Sequence, residues 1–223
     1  MVVFDMAGTT VNENMLVYKT LQGAIEEAGF TVTLEQVLAE GAGMEKLDAL
    51  RAILKKYTTN KEEGIVREIY HRFVDLLEKA YDEHEILPQD NAVSLFEALR
   101  QKKIRVVLNT GYNRQTAQSL IAKLGWKQGE TFDDLITATD VRQSRPHPDM
   151  ILLAMQRAGI TDAREVAKVG DSVIDIEEGI NAGASLNIGI TTGAHTRAQL
   201  ETAKPNYIID NLIEVLPLIP EFF

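Results

Sequence analysis

The stretch VAKVGDSVIDIEEGINAG, Val166–Gly183, decides the fold. It opens within a β-rich run, EVAKV, that ends at Gly170-Asp171, and it continues as a helix over Ile176–Ala182. A strand that runs directly into a helix is the repeating unit of a parallel sheet. The trailing GINAGA fits a helix that ends tightly against that sheet. Outward from this unit the texture repeats. The runs RVVLN (105–109), LITAT (135–139), NIGIT (187–191) and YIID (207–210) alternate with helices over Ala92–Arg100, Arg114–Leu124 and Asp149–Ala158. Val2–Phe4 is a strand of the same kind. The expectation is an α/β fold, a Rossmann-like parallel sheet with helices on both faces.

Between about Thr10 and His84 the pattern is helical, with almost no strand signal. Val17, Leu21, Ala24, Ile25 and Ala28 share one helical face, ended by Gly29. EGAGMEKLDALRAIL (40–54) reads as a Gly-rich bend entering a helix at about Met44. NKEE starts a long helix in which Asn60 and Glu63 have capping-box spacing and Ile65, Ile69, Phe73, Leu76 and Ala80 point inward. The chain therefore divides into an α/β core, residues 1–11 and 88–223, and a helical insert, residues 12–87.

With 223 residues, 45% hydrophobic and 25% charged, the composition is that of an ordinary globular chain. A net charge of −10 argues against a nucleic-acid backbone as partner, because such footprints are basic. A small anionic substrate stays open, since a local cluster of metal and cations overrides the overall field. The absence of cysteine excludes disulfides, thiolate catalysis and cysteine zinc sites. Apolar runs of a few residues fall far short of the roughly 20 that span a bilayer, so no membrane partner is expected. The chain enters its first strand without a charged-then-apolar leader, which points to a cytoplasmic protein. That strand is short, which leaves open whether the natural chain starts at Met1.

Ligands of open parallel sheets sit at the carboxyl ends of the strands, and polar residues gather there. Asp5, in VVFDMAGTTV (2–11), is either a capping aspartate or a carboxylate nucleophile for phosphorus. Thr110, Gly111 and Tyr112 form either an ordinary strand-to-helix turn or a phosphoryl cradle. Arg145, in SRPHPDM, is either a solvated loop charge or a bidentate phosphoryl clamp, with His147 beside it read as structural. Asp171 and Asp175, one helical turn apart and facing Asp5 across the sheet, suit a hard cation such as Mg²⁺.

These motifs, in order, resemble those of the haloacid dehalogenase-like hydrolases, and the insert resembles that superfamily's cap domain. FDMAGTTV, TGY, RPHP and VGDSVxDxxEGxNAG look most like its phosphonatase branch. The resemblance implies Asp5 as nucleophile and Asp171 as Mg²⁺ ligand, with the Ala7 carbonyl as a further ligand. It implies Asp175 supporting the metal shell, and Thr110, Gly111, Tyr112 and Arg145 around the phosphoryl group. It also implies a small phosphonate or phosphorylated metabolite as substrate, and a homodimer through the cap as a family expectation. Lys46 aligns with the lysine that phosphonatases use to form a Schiff base with an aldehyde.

Ala7 stands where the superfamily's phosphatases carry a second aspartate, a general acid–base worth roughly 10²–10⁴-fold. A leaving carbon that departs as an enamine of Lys46 needs no acid at that position. The phosphonatase loop also carries a methionine four residues before its lysine and a histidine three after it. Here those positions are Ala42 and Ala49. Three readings of Lys46 follow: imine former, substrate-binding cation of a phosphoglycolate- or sugar-phosphate-type phosphatase, or surface lysine. A different class of reading, a catalytically weak binding or regulatory relative, is opposed by the retention of Asp5, Asp171 and Arg145.

Overall fold

A computed structural model describes residues 1–59 and 62–219. β1 (Val2–Phe4) leads into a tight loop and β2 (Val11–Asn12). Four helices follow: α1 (Leu16–Glu27), α2 (Leu34–Gly41), α3 (Lys46–Tyr57) and α4 (Glu63–Glu83). β3 (Leu87–Pro88) returns antiparallel to β2, with Val11 opposite Pro88 and Asn12 opposite Leu87. The chain then alternates: α5 (Ala92–Gln101), β4 (Val106–Thr110), α6 (Arg114–Lys123), β5 (Asp134–Thr137), α7 (Asp149–Ala158) and β6 (Ala167–Gly170). It closes with α8 (Val173–Ala182), β7 (Leu186–Ile190), α9 (Arg197–Thr202), β8 (Tyr207–Ile209) and α10 (Val215–Leu218). Among the described residues no helix is long and apolar enough to cross a membrane.

The main sheet is parallel throughout, in the order β5-β4-β1-β6-β7-β8. Its inner strands β1, β4 and β7 are buried on both faces, so they read as largely apolar runs rather than alternations. Period-two alternation still sorts the side chains. Val2, Phe4, Val106 and Leu108 face α5, where the Phe4 ring packs tilted against Phe96 at 5.3 Å and Phe96 meets Trp126 edge-to-face at 5.5 Å. Each such aromatic pair adds about 0.5–1.5 kcal/mol beyond its area. Val3, Val107 and Ile136 face α7, against Met150, Ile151 and Ala154.

Strand order reverses between β1 and β6, and Asp5 and Asp171 follow those two strands directly. That crevice is the topological switch point where open α/β sheets bind ligands. The Asp5 amide donates to Val169 O at 2.9 Å, tying the two strand ends together.

The helical boundaries differ from expectation in three places. α2 precedes the Gly-rich bend, started by a capping box between Thr33 and Gln36, and α3 starts at Lys46 with Glu45 as N-cap, two residues after Met44. α8 starts at Val173 rather than Ile176, because Ser172 takes the extended N-cap conformation. On α4 the buried stripe is Val66, Ile69, Phe73, Leu77 and Tyr81. Ile65, Leu76 and Ala80 are only half-buried, and the stripe is rotated towards the polar interior that Tyr81 reaches. On α1 Tyr18 joins the buried face while Ala28 is exposed. The Asn60 half of the expected capping box lies outside the described residues.

Candidate active site

Four strand-end segments and the α2–α3 bend converge on one buried cluster. Arg145, in the loop before α7, is fully covered and every edge of its guanidinium is engaged. Nη1 donates to Asp5 Oδ1 at 2.7 Å and to Gly43 O at 3.3 Å. Nη2 donates to Asn109 O and Oδ1 at 2.9 and 2.6 Å, and Nε to Glu178 Oε2 at 3.0 Å. Lys168, in mid-strand on β6, donates to Asn109 Oδ1 at 2.6 Å and lies 2.9 Å from Asp175 Oδ1 and 3.2 Å from Glu178 Oε2. Asn109 Nδ2 donates back to both Glu178 oxygens at 2.9 Å. Asp175 Oδ1 makes ion pairs without hydrogen-bond geometry, 3.1 Å from Arg145 Nη1 as well as 2.9 Å from Lys168.

Asp5, Asp171 and Asp175 offer carboxylate oxygens within 4.8 Å of one another. Thr9 and the Ala194 amide donate to Asp171 at 3.3 and 2.6 Å. A Cβ at Gly8 or Gly193 would fall 2.4 or 1.9 Å from Asp171 Oδ2, so both glycines leave room for that carboxylate. Burial pushes Asp171 well above the usual carboxylate range, reinforced by Asp5 and Asp175. Burial also raises Asp5, partly offset by Arg145. For Asp175 burial is outweighed by Arg145 and Lys168, which hold it below the usual range.

Counted together, the buried carboxylates Asp5, Asp171, Asp175 and Glu178 face the cations Arg145 and Lys168. An all-oxygen donor set with two negative charges in excess fits a hard divalent cation. Ala7 and Asp171 both line a cavity of about 90 Å³.

Lys46 opens α3, and its ammonium is buried. Nζ donates to Met44 O at 2.7 Å and lies 5.3 and 5.6 Å over the rings of Tyr18 and Tyr112. Burial lowers its pKa to about 8, against the pull of Asp5 and Glu45. The surface reading of Lys46 is thereby removed. Tyr112 is buried as well, its hydroxyl 2.6 Å from that of Tyr81. Thr110 Oγ1 accepts the Tyr112 amide at 3.2 Å. Gly111 abuts the bend, where a Cβ would fall 2.6 Å from Met44 O. His147, by contrast, is exposed.

A family model described as haloacid dehalogenase-like hydrolase matches residues 1–183. The chain belongs to the haloacid dehalogenase-like hydrolases. Among its relatives is a phosphonoacetaldehyde hydrolase of Hahella chejuensis, 30% identical over 205 residues, which cover 87% of this chain and 68% of that one. A bifunctional phosphonoacetaldehyde hydrolase/aminoethylphosphonate transaminase of Clostridioides difficile is also 30% identical, over 82% of this chain. This chain spans only 30% of that longer protein. A solved phosphonoacetaldehyde hydrolase-like protein of Oleispira antarctica superposes with a TM-score of 0.85 over 99% of this chain and 91% of its own, at 23% identity, which speaks for the fold.

In this haloacid dehalogenase-like hydrolase the sequence reading missed Asn109, Lys168 and Glu178. A signal for Lys168 was present: a lysine between alanine and valine in an apolar strand needs a buried partner. Asn109, which closes RVVLN, and Glu178, inside the motif of α8, carried no comparable mark.

Proposed function

We propose that this hydrolase is an Mg²⁺-dependent phosphonatase that releases phosphate from a small aldehyde phosphonate. The observation that carries the reading is Lys46: a buried amine with a pKa of about 8, facing Asp5, in a chain with alanine at position 7. At neutral pH a useful fraction of that amine is unprotonated and can attack an aldehyde carbon. The resulting iminium accepts the electron pair when the C–P bond breaks, so the carbon leaves as an enamine without an acid at Ala7.

Asp5 is the nucleophile, forming an aspartyl phosphate that water then hydrolyses. Arg145 holds Asp5 Oδ1, which leaves Oδ2 as the attacking atom. Asn109, Glu178 and Lys168 keep Arg145 and Asp175 in register. Asp5, the Ala7 carbonyl and Asp171 would hold Mg²⁺, with Asp175 supporting that shell. When bound, the ion supplies charge neutralisation at the phosphoryl oxygens. Thr110, at the end of β4, would hold the phosphoryl group, and the α1–α4 segment, residues 12–87, acts as a cap that excludes water.

A phosphoester phosphatase is the second reading. It is favoured by the two tyrosine rings flanking Lys46, which suit a charged ammonium, and by Ala42 and Ala49. Borohydride reduction in the presence of phosphonoacetaldehyde separates the two. The first reading expects a reduced adduct on Lys46 in the wild type and none in Lys46→Ala. Phosphoester turnover with no adduct would replace it with the second.

A further inference from the structure

Glu13 is a buried carboxyl that none of the chemistry above uses. It follows β2, where the chain turns through Asn14 (φ 53°) and Met15 (φ 57°). Two successive non-glycine residues in the left-handed region are a strained arrangement. Glu13 itself is turned into the interior, 4% exposed. Its Oε2 accepts the Val17 amide at 2.7 Å, and the Tyr81 hydroxyl lies 3.5 Å away. Both partners are neutral. Glu13 lines the 90 Å³ cavity together with Ala7, Tyr18 and Asp171, and Lys46 lies over the same Tyr18 ring.

The bland role is a cap for α1, and the Val17 bond does serve that role. Serine, threonine and aspartate cap helices at the surface, however, without burying a carboxyl. The groups that face Glu13 are Tyr18 from α1, Lys46 from α3, Tyr81 from α4, Tyr112 from the loop after β4, and Asp171 across the cavity. Burial holds all three tyrosines well above the ordinary phenol range, so they stay protonated and give up no proton near neutrality. Burial also raises Glu13 to about 7, against the Val17 amide and Lys46. A carboxyl that retains its proton near neutral pH is matched to acid catalysis.

We propose that Glu13 is the proton donor for imine formation at Lys46, a part that Ala7 and Ala49 cannot play. The proposal rests on the imine reading above. Neutral Lys46 Nζ adds to the aldehyde carbon and gives a carbinolamine. Glu13 passes its proton to the carbinolamine oxygen. The C–O bond breaks, the oxygen leaves as water, and the nitrogen lone pair closes the C=N bond. An iminium and a Glu13 carboxylate remain. After the C–P bond breaks, the enamine carbon takes a proton from solvent to give the product iminium, and water adding to that iminium returns a proton to the Glu13 carboxylate.

The test is a rapid-quench borohydride measurement of Lys46 trapping with phosphonoacetaldehyde across pH, in the wild type and in Glu13→Gln, whose amide oxygen still accepts from Val17. The wild type is expected to show a bell. Its rate falls below a pH of about 8 as Lys46 gains a proton, and falls above about 7 as Glu13 loses one. Glu13→Gln is expected to trap roughly 10²-fold or more slowly and to lose the alkaline limb. Its melting temperature at pH 8 is expected to equal or exceed that of the wild type. The sign follows from the raised carboxyl: the wild type loses stability as pH rises from the usual carboxylate value through about 7, and glutamine does not. Glu13→Asp, with a shorter reach, is expected to slow trapping while keeping the alkaline limb. Equal trapping in Glu13→Gln with both limbs intact, or a wild type with no alkaline limb, overturns the role of Glu13. A wild type that traps no adduct overturns the imine reading itself.

Discussion

Asp171 shows what one residue reveals about the site. It is buried, it accepts from the Thr9 hydroxyl and the Ala194 amide, and it stands beside two other carboxylates. In the metal-free protein that charge destabilises the fold. Asp171→Asn is therefore expected to melt higher than the wild type without metal. Saturating Mg²⁺ is expected to raise the wild-type melting temperature by about 5–10 °C at a hundredfold excess over Kd, and to leave the variant nearly unmoved. A wild type indifferent to Mg²⁺ would contradict the donor set. At this scale the sequence was most legible where a carboxylate follows a strand directly, as with Asp5 and Asp171, and where a guanidinium stands in a Pro-rich loop, as with Arg145. It was least legible where partners lie far apart in the chain. Asn109, Arg145, Lys168 and Glu178 meet only because β4, β6, α8 and the loop before α7 share one face of the sheet.

Elements set how closely the α2–α3 bend approaches the sheet. The bend carries Gly43 O, which accepts from Arg145, and Met44 O, which accepts from Lys46. Gly111 lies directly against both carbonyls. Gly111, which the resemblance places beside the phosphoryl group, also permits this close approach of two backbones. Gly111→Ala is expected to push the bend outward and lower kcat/KM by roughly 10²-fold, the scale of an ångström misplacement at a reacting centre. Full activity in that variant would show that the bend need not sit so close. Strands and core helices were readable from alternation and periodicity because a parallel sheet imposes both. The bend was read one helix short, since α2 has only Val37 and Gly41 buried and so a weak apolar stripe. Rotation of the α4 stripe was hidden for a related reason: Tyr81 is buried through its hydroxyl partners, a feature that apolar periodicity does not register.

For the whole molecule, the organising fact is the reversal of strand order between β1 and β6. It sets Asp5 beside Asp171 and leaves the chain free to leave and rejoin the core through the β2–β3 pair. The overall negative charge does not by itself exclude an anionic substrate, because Lys46 is buried beside the carboxylate cluster and a divalent cation there would offset the two charges in excess. The phosphoryl transfer proposed for this hydrolase passes through Asp5 Oδ2. The most direct test is a single-turnover reaction with phosphonoacetaldehyde and Mg²⁺, quenched in acid and digested for mass spectrometry. The account predicts the mass of a phosphoryl group on the peptide that contains Asp5, absent from Asp5→Asn, appearing before free phosphate. Phosphate release at the wild-type rate from Asp5→Asn, or turnover with that peptide unmodified throughout, would contradict it.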